Sequence, residues 1–414
     1  MHAAPAGAAP APVASPLVVV GIGADGWDGL PTASRAAVER AEVLLGSARQ
    51  LALVPASVGA ERVPWPSPLS EALPGIVERQ AGRATVVLAS GDPMLSGIGT
   101  TLTRLLGNDR VRVLPAPSSV SLACARLGWA VEDTTVVTLV GRPVELLHPH
   151  VQPGRRLLVL GSDAGSPAEV AALLTGRGFG SSTLRVLGNL GGPSESIDIG
   201  TAGGWARPSP ALAVTAVECS ADPGAVPLPT TPGLPDDVYE NDGQLTKSDV
   251  RAVTLARLAP APGGLLWDVG GGAGSIGIEW MRVHPASRAV AVEASPERAA
   301  RIGRNAHALG VPHLQVVTGR APEALAGLPR PDAVFVGGGV TAPGLVGACW
   351  AALPSGGRLV ANAVTVESEA VLAEWFARVG GDLVRIGVQH AEPVGRFTGW
   401  KPAMPVTIWS VTRP

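Results

Sequence analysis

The feature that most constrains this chain is a glycine turn well past its midpoint. The apolar run Leu265 to Val269 leads into Trp267-Asp268-Val269-Gly270-Gly271-Gly272-Ala273-Gly274-Ser275. A short apolar run bounded by glycines reads as a buried strand feeding a tight turn. Glycines let backbone N–H groups approach a ligand without side-chain clash, and a following helix N-terminus adds donors. Such a turn ordinarily follows the first strand of an α/β domain. Here about 260 residues precede it, and they hold a second start of the same kind, Val18-Val19-Val20-Gly21-Ile22-Gly23. The pattern implies two cofactor-binding domains in tandem.

The length of 414 residues accommodates two domains of ordinary size, and 46% apolar residues supply sizeable cores. A net charge of −2 carries no polyanion signal, so no nucleic-acid partner is expected. Cys124, Cys219 and Cys349 lie far apart with no CxxC spacing, so no metal site is expected and a cytoplasmic location is. Residues 1–16 are Ala/Pro-rich without a signal-peptide pattern and read as a disordered tail. No apolar run reaches the roughly 20 residues of a membrane span, so no membrane partner is expected.

Short apolar runs alternate with helical spacing. Leu17–Val20, Thr85–Ala89, Val111–Leu114 and Val136–Leu139 read as strands, and 31–45 reads as one helix with Ala33, Ala37, Val38, Ala41 and Leu44 on a face. Leu157–Leu160, Leu184–Leu187 and Leu212–Val217 form a second set of strands. Alternation of this kind predicts βα units and mostly parallel sheets. Residues 221–235 hold five prolines and no periodicity, and mark a linker. Five further strands follow: Leu265–Val269, Ala289–Glu293, Leu314–Val317, Ala333–Val336 and Arg358–Asn362. Ser295 with Pro296 predicts a helix start, and Gly310 its end.

In the C-terminal part the acid at Glu293, on the lip of the second strand, can accept both hydroxyls of a ribose. Gly319-Arg320-Ala321 offers backbone for an adenine, and Gly337-Gly338-Gly339 allows close approach after the fourth strand. Gly270-x-Gly272-x-Gly274 fits an adenosylmethionine site and Gly272-x-Gly274-x-x-Gly277 also fits a dinucleotide fingerprint, with Asp268 and the glycine run after the fourth strand favouring the former. Spacing alone therefore leaves open a methyltransferase, an NAD-dependent oxidoreductase and a purely structural turn.

Longer stretches carry more. Gly233-Leu234-Pro235-Asp236-Asp237-Val238-Tyr239, Leu245-Thr246-Lys247-Ser248-Asp249-Val250-Arg251 and Asp268 to Gly274 resemble the C15-methylating, C12-decarboxylating enzymes of corrin biosynthesis, with Tyr239 for Phe and Asp249 for Glu. The likeness continues through Val317 to Glu323, Gly337-Gly338 and Asn362-Ala363-Val364-Thr365. It implies a Rossmann-like class I methyltransferase fold over 233–414, with Thr246, Gly270, Gly271, Gly272, Ala273, Gly274, Glu293 and Ala321 at adenosylmethionine. Residues 17–220 resemble the tetrapyrrole methylase family in its C5-methylating branch. The matching pieces are Gly21-Ile22-Gly23, Ser90-Gly91-Asp92-Pro93, Ile98-Gly99, Pro115 to Ser119 and Leu187 to Glu195. That family folds as two α/β subdomains with the donor between them, which implies Gly23, Gly91, Asp92, Ile98, Ser118, Ser119 and Leu187 at a second adenosylmethionine. Its usual G-x-G-P-G loop is here Gly21-Ile22-Gly23-Ala24-Asp25-Gly26; in isolation, Asp92 also reads as an ordinary helix cap.

Together the resemblances imply a fused methyltransferase of cobalamin biosynthesis, with one adenosylmethionine site per domain and residues 221–232 as linker. It would methylate C5 and C15 of a small tetrapyrrole, precorrin-6B, and decarboxylate its C12 acetate to give precorrin-8x. A homo-oligomer is expected. An N-terminal half that only binds substrate stays open. A sulfonium methyl is already activated, so placement and water exclusion carry the rate, and no residue is singled out as catalytic. The substrate's carboxylates should meet cations, and Lys247, Arg251, Arg320, Arg396 and Lys401 are the candidates. Trp350, Trp375, Trp400 and Trp409 are candidates for an apolar surround that favours decarboxylation, against the plainer reading as core. His390 reads as structural.

Overall fold

A computed structural model describes residues 16–66 and 68–414. The tail expected over 1–16 falls outside the described residues except for Pro16. The chain divides into two compact units, one of residues 16–141 and 154–223, the other of 142–153 and 224–414. The short segment 142–153 thus groups with the second unit, where Gly310 packs on Glu145, His148 and Pro149.

The first unit holds two sheets. Strands β1 (Leu17–Ile22), β2 (Val43–Gly46), β3 (Glu61–Pro64), β4 (Thr85–Ser90) and β5 (Val111–Leu114) form an all-parallel sheet in the order β3-β2-β4-β1-β5. The expected helix over 31–45 is only Thr32–Glu39, and β2 follows it. Val43, Leu44 and Leu45 are fully buried between two neighbouring strands. Such a short, wholly apolar run carries no period that separates strand from helix. Strands β6 (Thr134–Thr138), β7 (Arg156–Leu160), β8 (Thr183–Gly188), β9 (Ser196–Thr201) and β10 (Ala213–Glu218) form the second sheet, in the order β6-β7-β10-β8-β9. Only β6 and β7 run parallel. The mostly parallel expectation fails here because β8 turns straight into β9 across 189–195, too short for a crossover helix.

The second unit is a seven-stranded sheet. Strands β11 (Leu265–Val269), β12 (Arg288–Glu293), β13 (Gln315–Thr318), β14 (Ala333–Val336) and β15 (Arg358–Ala363) are parallel in the order β13-β12-β11-β14-β15. Sequence reading stopped there. The structure adds β16 (Asp382–Ile386), a separate hairpin of β17 (Gln389–Val394) and β18 (Phe397–Pro402), and β19 (Val406–Thr412). β19 lies antiparallel between β15 and β16. One core forms on each face. Leu266, Ile278, Trp280 and Ile302 lie on one, and Trp267, Val334, Leu359 and Trp409 on the other. The Pro296–Ala308 helix starts as expected, with Ser295 Oγ accepting from the Arg298 N–H, and Gly310 (φ +85°) follows its end. No helix among the described residues is long and apolar enough to cross a membrane.

Candidate functional site

The carboxyl ends of β11 to β15 open into a cavity of about 1060 Å³. In an open parallel sheet this end collects ligands, because the loops leaving each strand converge there. Gly270 and Gly272 adopt φ +75° and +58°. A Cβ on Gly270 would lie 2.7 Å from the Gly338 nitrogen, and one on Gly272 2.7 Å from the Gln244 carbonyl oxygen. Three loops therefore meet closely enough that only glycine fits. Gly274 (φ +81°) opens the Ser275–Val283 helix and packs under Ile302, and Ala273 is buried with its carbonyl accepting from Asn305 at 2.9 Å. Ala273 and Gly274 shape the turn and lie outside the cavity wall.

Glu293 ends β12 and is almost fully buried. Its Oε2 accepts from Gly272 N–H at 2.9 Å and its Oε1 from Ser295 N–H at 3.0 Å. Each oxygen accepts one bond and keeps further acceptor capacity in a residue that lines the cavity, which suits the two hydroxyls of a ribose. Ala321 and Arg320 line the same wall one strand further out, after β13. Asp268 lies beneath the turn, fully buried; its Oδ2 accepts from Gly277 N–H at 2.9 Å and its Oδ1 has no partner. Burial pushes its carboxyl up to about 7, against the pull of the Gly277 N–H.

The segment before β11 forms the facing wall, from Gly243 to Val250. Arg251 anchors it, and this corrects the reading of Arg251 as a substrate cation. Its side chain is wholly buried, with Nε on Glu279 at 2.6 Å and Nη1 on Asp236 at 3.2 Å. It also donates to the carbonyls of Thr246, at 2.5 Å, and Leu234, and stacks over Tyr239. Glu279 in turn accepts from the N–H groups of Gly233 (2.6 Å) and Leu234 (3.1 Å) and from the Tyr239 hydroxyl (2.8 Å). A guanidinium so fully paired inside the protein has nothing left for a ligand. The Gly233 to Tyr239 and Thr246 to Arg251 motifs are thus two halves of one buried network.

Of the remaining cations, Lys247 and Arg320 are exposed and line the cavity. Arg396 and Lys401 are not part of its wall: Arg396 stacks on Phe397 in the hairpin and Lys401 pairs with Glu392 at 2.9 Å. None of the four tryptophans reaches the cavity wall either. Trp409 is fully buried beside Trp375 with its N–H on the Gly380 carbonyl, and Trp400 is 72% exposed on β18. The apolar surround comes instead from Phe335, Leu345, Val364, Ile386, Met404 and Val406. Ile386, Met404 and Val406 escaped sequence reading because β16 and β19 return from far along the chain. His390 also lines the mouth, its Nε2 4.0 Å from Asp249.

In the first unit the loops leaving β1, β4 and β5 converge in the same way. Gly91 N–H donates to the Ile22 carbonyl at 3.1 Å, and Ala116 N–H to the Gly91 carbonyl at 3.3 Å. A Cβ on Gly21 would overlap that carbonyl, and one on Gly91 (φ +57°) would lie 3.1 Å from the Pro117 oxygen. Asp92 is not a helix cap: its Oδ1 accepts from Met94 N–H at 2.8 Å within the loop, and Gly97 precedes the helix that Ile98 begins. Ser118 caps the Ser119–Leu127 helix through Ser121 N–H. Asp25 folds over Gly23 and Gly29, and Gly192 packs on Ala24, so loops from both sheets meet at Gly23. The Arg126 guanidinium on Glu195 (2.5 Å) holds that carboxyl below its usual range and braces the Asn189–Glu195 turn. Leu187, however, is fully buried in the core with Val120 and Ala123, so its side chain is packing.

The two units and their strand-end sites describe a tandem α/β transferase, and comparison with known proteins agrees. Residues 16–204 match the model of the tetrapyrrole (corrin/porphyrin) methylases, and 237–413 match the precorrin methyltransferase domain. A Sinorhizobium precorrin-6Y C(5,15)-methyltransferase [decarboxylating] is 51% identical over 98% of this chain and 98% of its own. Two shorter relatives cover less than half of this chain each. A probable cobalt-precorrin-6B C(15)-methyltransferase (decarboxylating) of Pyrobaculum calidifontis is 37% identical over 43% of this chain and 94% of its own. A cobalt-precorrin-7 C(5)-methyltransferase of Salmonella typhimurium is 34% identical over 44% and 88%. This chain belongs to the precorrin-6Y C5,15-methyltransferase (decarboxylating) family, and it is a methyltransferase of cobalamin biosynthesis. That membership sets aside the dinucleotide reading of Gly272 to Gly277.

Proposed function

We propose that the chain divides its two methylations between its halves, C5 to residues 17–220 and C15 with loss of the C12 acetate carboxyl to residues 233–414. Residues 221–232 join them. Each half would take one adenosylmethionine, and the tetrapyrrole would be precorrin-6B. The observation that carries the C-terminal assignment is the cavity itself: a glycine cradle that any Cβ would fill, beside a buried carboxylate with lone pairs to spare. The existence of separate C15- and C5-methylating relatives, each matching under half of the chain, supports the division.

In this reading Gly270, Gly271 and Gly272 give backbone contact to the methionine end of the donor, Glu293 binds the ribose hydroxyls, and Ala321 and Arg320 flank the base. Thr246 and Lys247 close the donor from the other wall. In the first half, Gly23, Gly91, Asp92, Ile98, Ser118 and Ser119 lie at the corresponding loops. Bound there, the donor supplies an activated methyl, so the chain's part is to place it in line with an electron-rich ring carbon and keep water out. Lys247 and Arg320 are placed to pair with substrate carboxylates. The apolar lining from Phe335 to Val406 withdraws solvent from the C12 carboxylate, which favours release of CO2. A cytoplasmic homo-oligomer remains part of the proposal.

Mass spectrometry of the reaction with precorrin-6B and adenosylmethionine tests it. Two methyl groups gained and one CO2 lost is the expected product, and a single methyl with the carboxyl retained would contradict the reaction. Glu293→Ala is expected to lose the C15 methylation and keep that at C5, and the reverse would contradict the division.

A further inference from the structure

Asn362 lies one residue before the end of β15, on the far side of the glycine turn from Glu293. Its Nδ2 donates to Thr254 Oγ1 at 3.0 Å, and Thr254 Oγ1 donates to the Val250 carbonyl at 2.8 Å. A hydroxyl has one proton, and here it is spent on Val250, so Thr254 can only accept from the amide. This fixes which way the carboxamide points. Asn362 Oδ1 is left buried without a hydrogen-bond partner, in a residue that lines the cavity between Val364, Ile386 and Val406. A buried acceptor held in place and unpaired calls for a donor from a ligand.

The available donors are the ammonium, adenine amine and ribose hydroxyls of the methyl donor and a ring N–H of the tetrapyrrole; the substrate's carboxylates are acceptors and do not qualify. Position decides between them. The donor's base and ribose belong at β13 and β12, and its reactive end at β11. β15 lies beyond β14, three strands from Glu293, about 14 Å at ordinary strand spacing. That is the acceptor side of the cavity. We propose that Asn362, oriented by Thr254, accepts a hydrogen bond from a ring N–H of the tetrapyrrole and so sets which ring edge faces the methyl. The proposal rests on reading this cavity as the C15 site. Asn362 takes no part in a covalent step; it orients the macrocycle.

The test uses the full chain, with precorrin-6B turnover at C15 and adenosylmethionine titrated by calorimetry. Asn362→Leu is expected to raise the tetrapyrrole KM and lower kcat/KM at C15 by about 10- to 100-fold, while adenosylmethionine affinity stays within about twofold. Thr254→Val should act in the same direction, and Thr254→Ser, which keeps the hydroxyl but loses the methyl, should restore most of the loss. If Asn362→Leu does not fold, as judged by circular dichroism and thermal unfolding, the Thr254 pair decides. The proposal is overturned if Thr254→Ser is as damaging as Thr254→Val, if the tetrapyrrole KM is unchanged, or if adenosylmethionine affinity falls in its place. Failure of the underlying site assignment shows differently: Glu293→Ala would then leave C15 methylation intact.

Discussion

Asp268 shows how one residue couples the glycine turn to pH. In an unfolded chain an aspartate ionises near 3.9. In the folded protein burial raises Asp268 to about 7. Between those values the folded state holds a proton that the unfolded state has released, so stability falls as pH rises through that window and the penalty is complete above it. Asp268→Asn removes this titration. Its stability relative to the wild type should improve by about 2–3 kcal/mol between pH 5 and pH 8, read from urea unfolding. A difference that does not change with pH would show that Asp268 is not titrating there. The acid was visible in the sequence two residues before the first glycine; its burial, and so its charge state, was not.

Among the elements, the segment from Gly233 to Arg251, which carries the facing wall, has little regular structure and is fastened from within the protein. It is tied down because Arg251 and Glu279 between them engage five backbone or hydroxyl groups besides each other and Asp236. Removing one partner of such a buried pair leaves an unpaired charge. Arg251→Met should therefore cost about 3–5 kcal/mol in denaturant unfolding. Adding Glu279→Gln in the same chain should recover part of that loss. A double variant no more stable than Arg251→Met alone would show that the pair is not coupled. The sequence placed Arg251 correctly within a motif and misassigned its role, because a motif records which residues recur together and not which way they point. The strands β11 to β15 were legible to within a residue or two, since buried parallel strands are continuous apolar runs bounded by glycine. β2, β3, β9 and β16 to β19 were not. β2 and β3 are four residues long, β9 is the edge strand of its sheet, β16 is held by β19 from further along the chain, and β17 and β18 form a hairpin of their own.

For the whole molecule, the two sets of proposed donor contacts belong to separate compact units. Glu293→Ala in the full chain should lower the adenosylmethionine stoichiometry from two per chain to one, with the retained site keeping its affinity, as read by calorimetry. Loss of both sites together would mean the halves do not bind independently.

The tandem arrangement, the glycine turns, Glu293 and the family were all determined by the sequence, because each depends on local residue order: which backbone positions lack a Cβ, and which acid follows which strand. The tertiary structure decided what depends on burial and on distant partners. It took Arg251 out of the substrate's reach and removed the tryptophans from the cavity. It replaced them with side chains from strands at the end of the chain, and it left the Asn362 carboxamide oxygen unpaired, which the matching Asn362 to Thr365 stretch did not announce. A charge or a hydrogen bond is valued by its surroundings, and those are assembled only when the chain folds. The glycine turn could be read from the sequence as a place for a donor; only the fold shows which side chains line the cavity across from the turn.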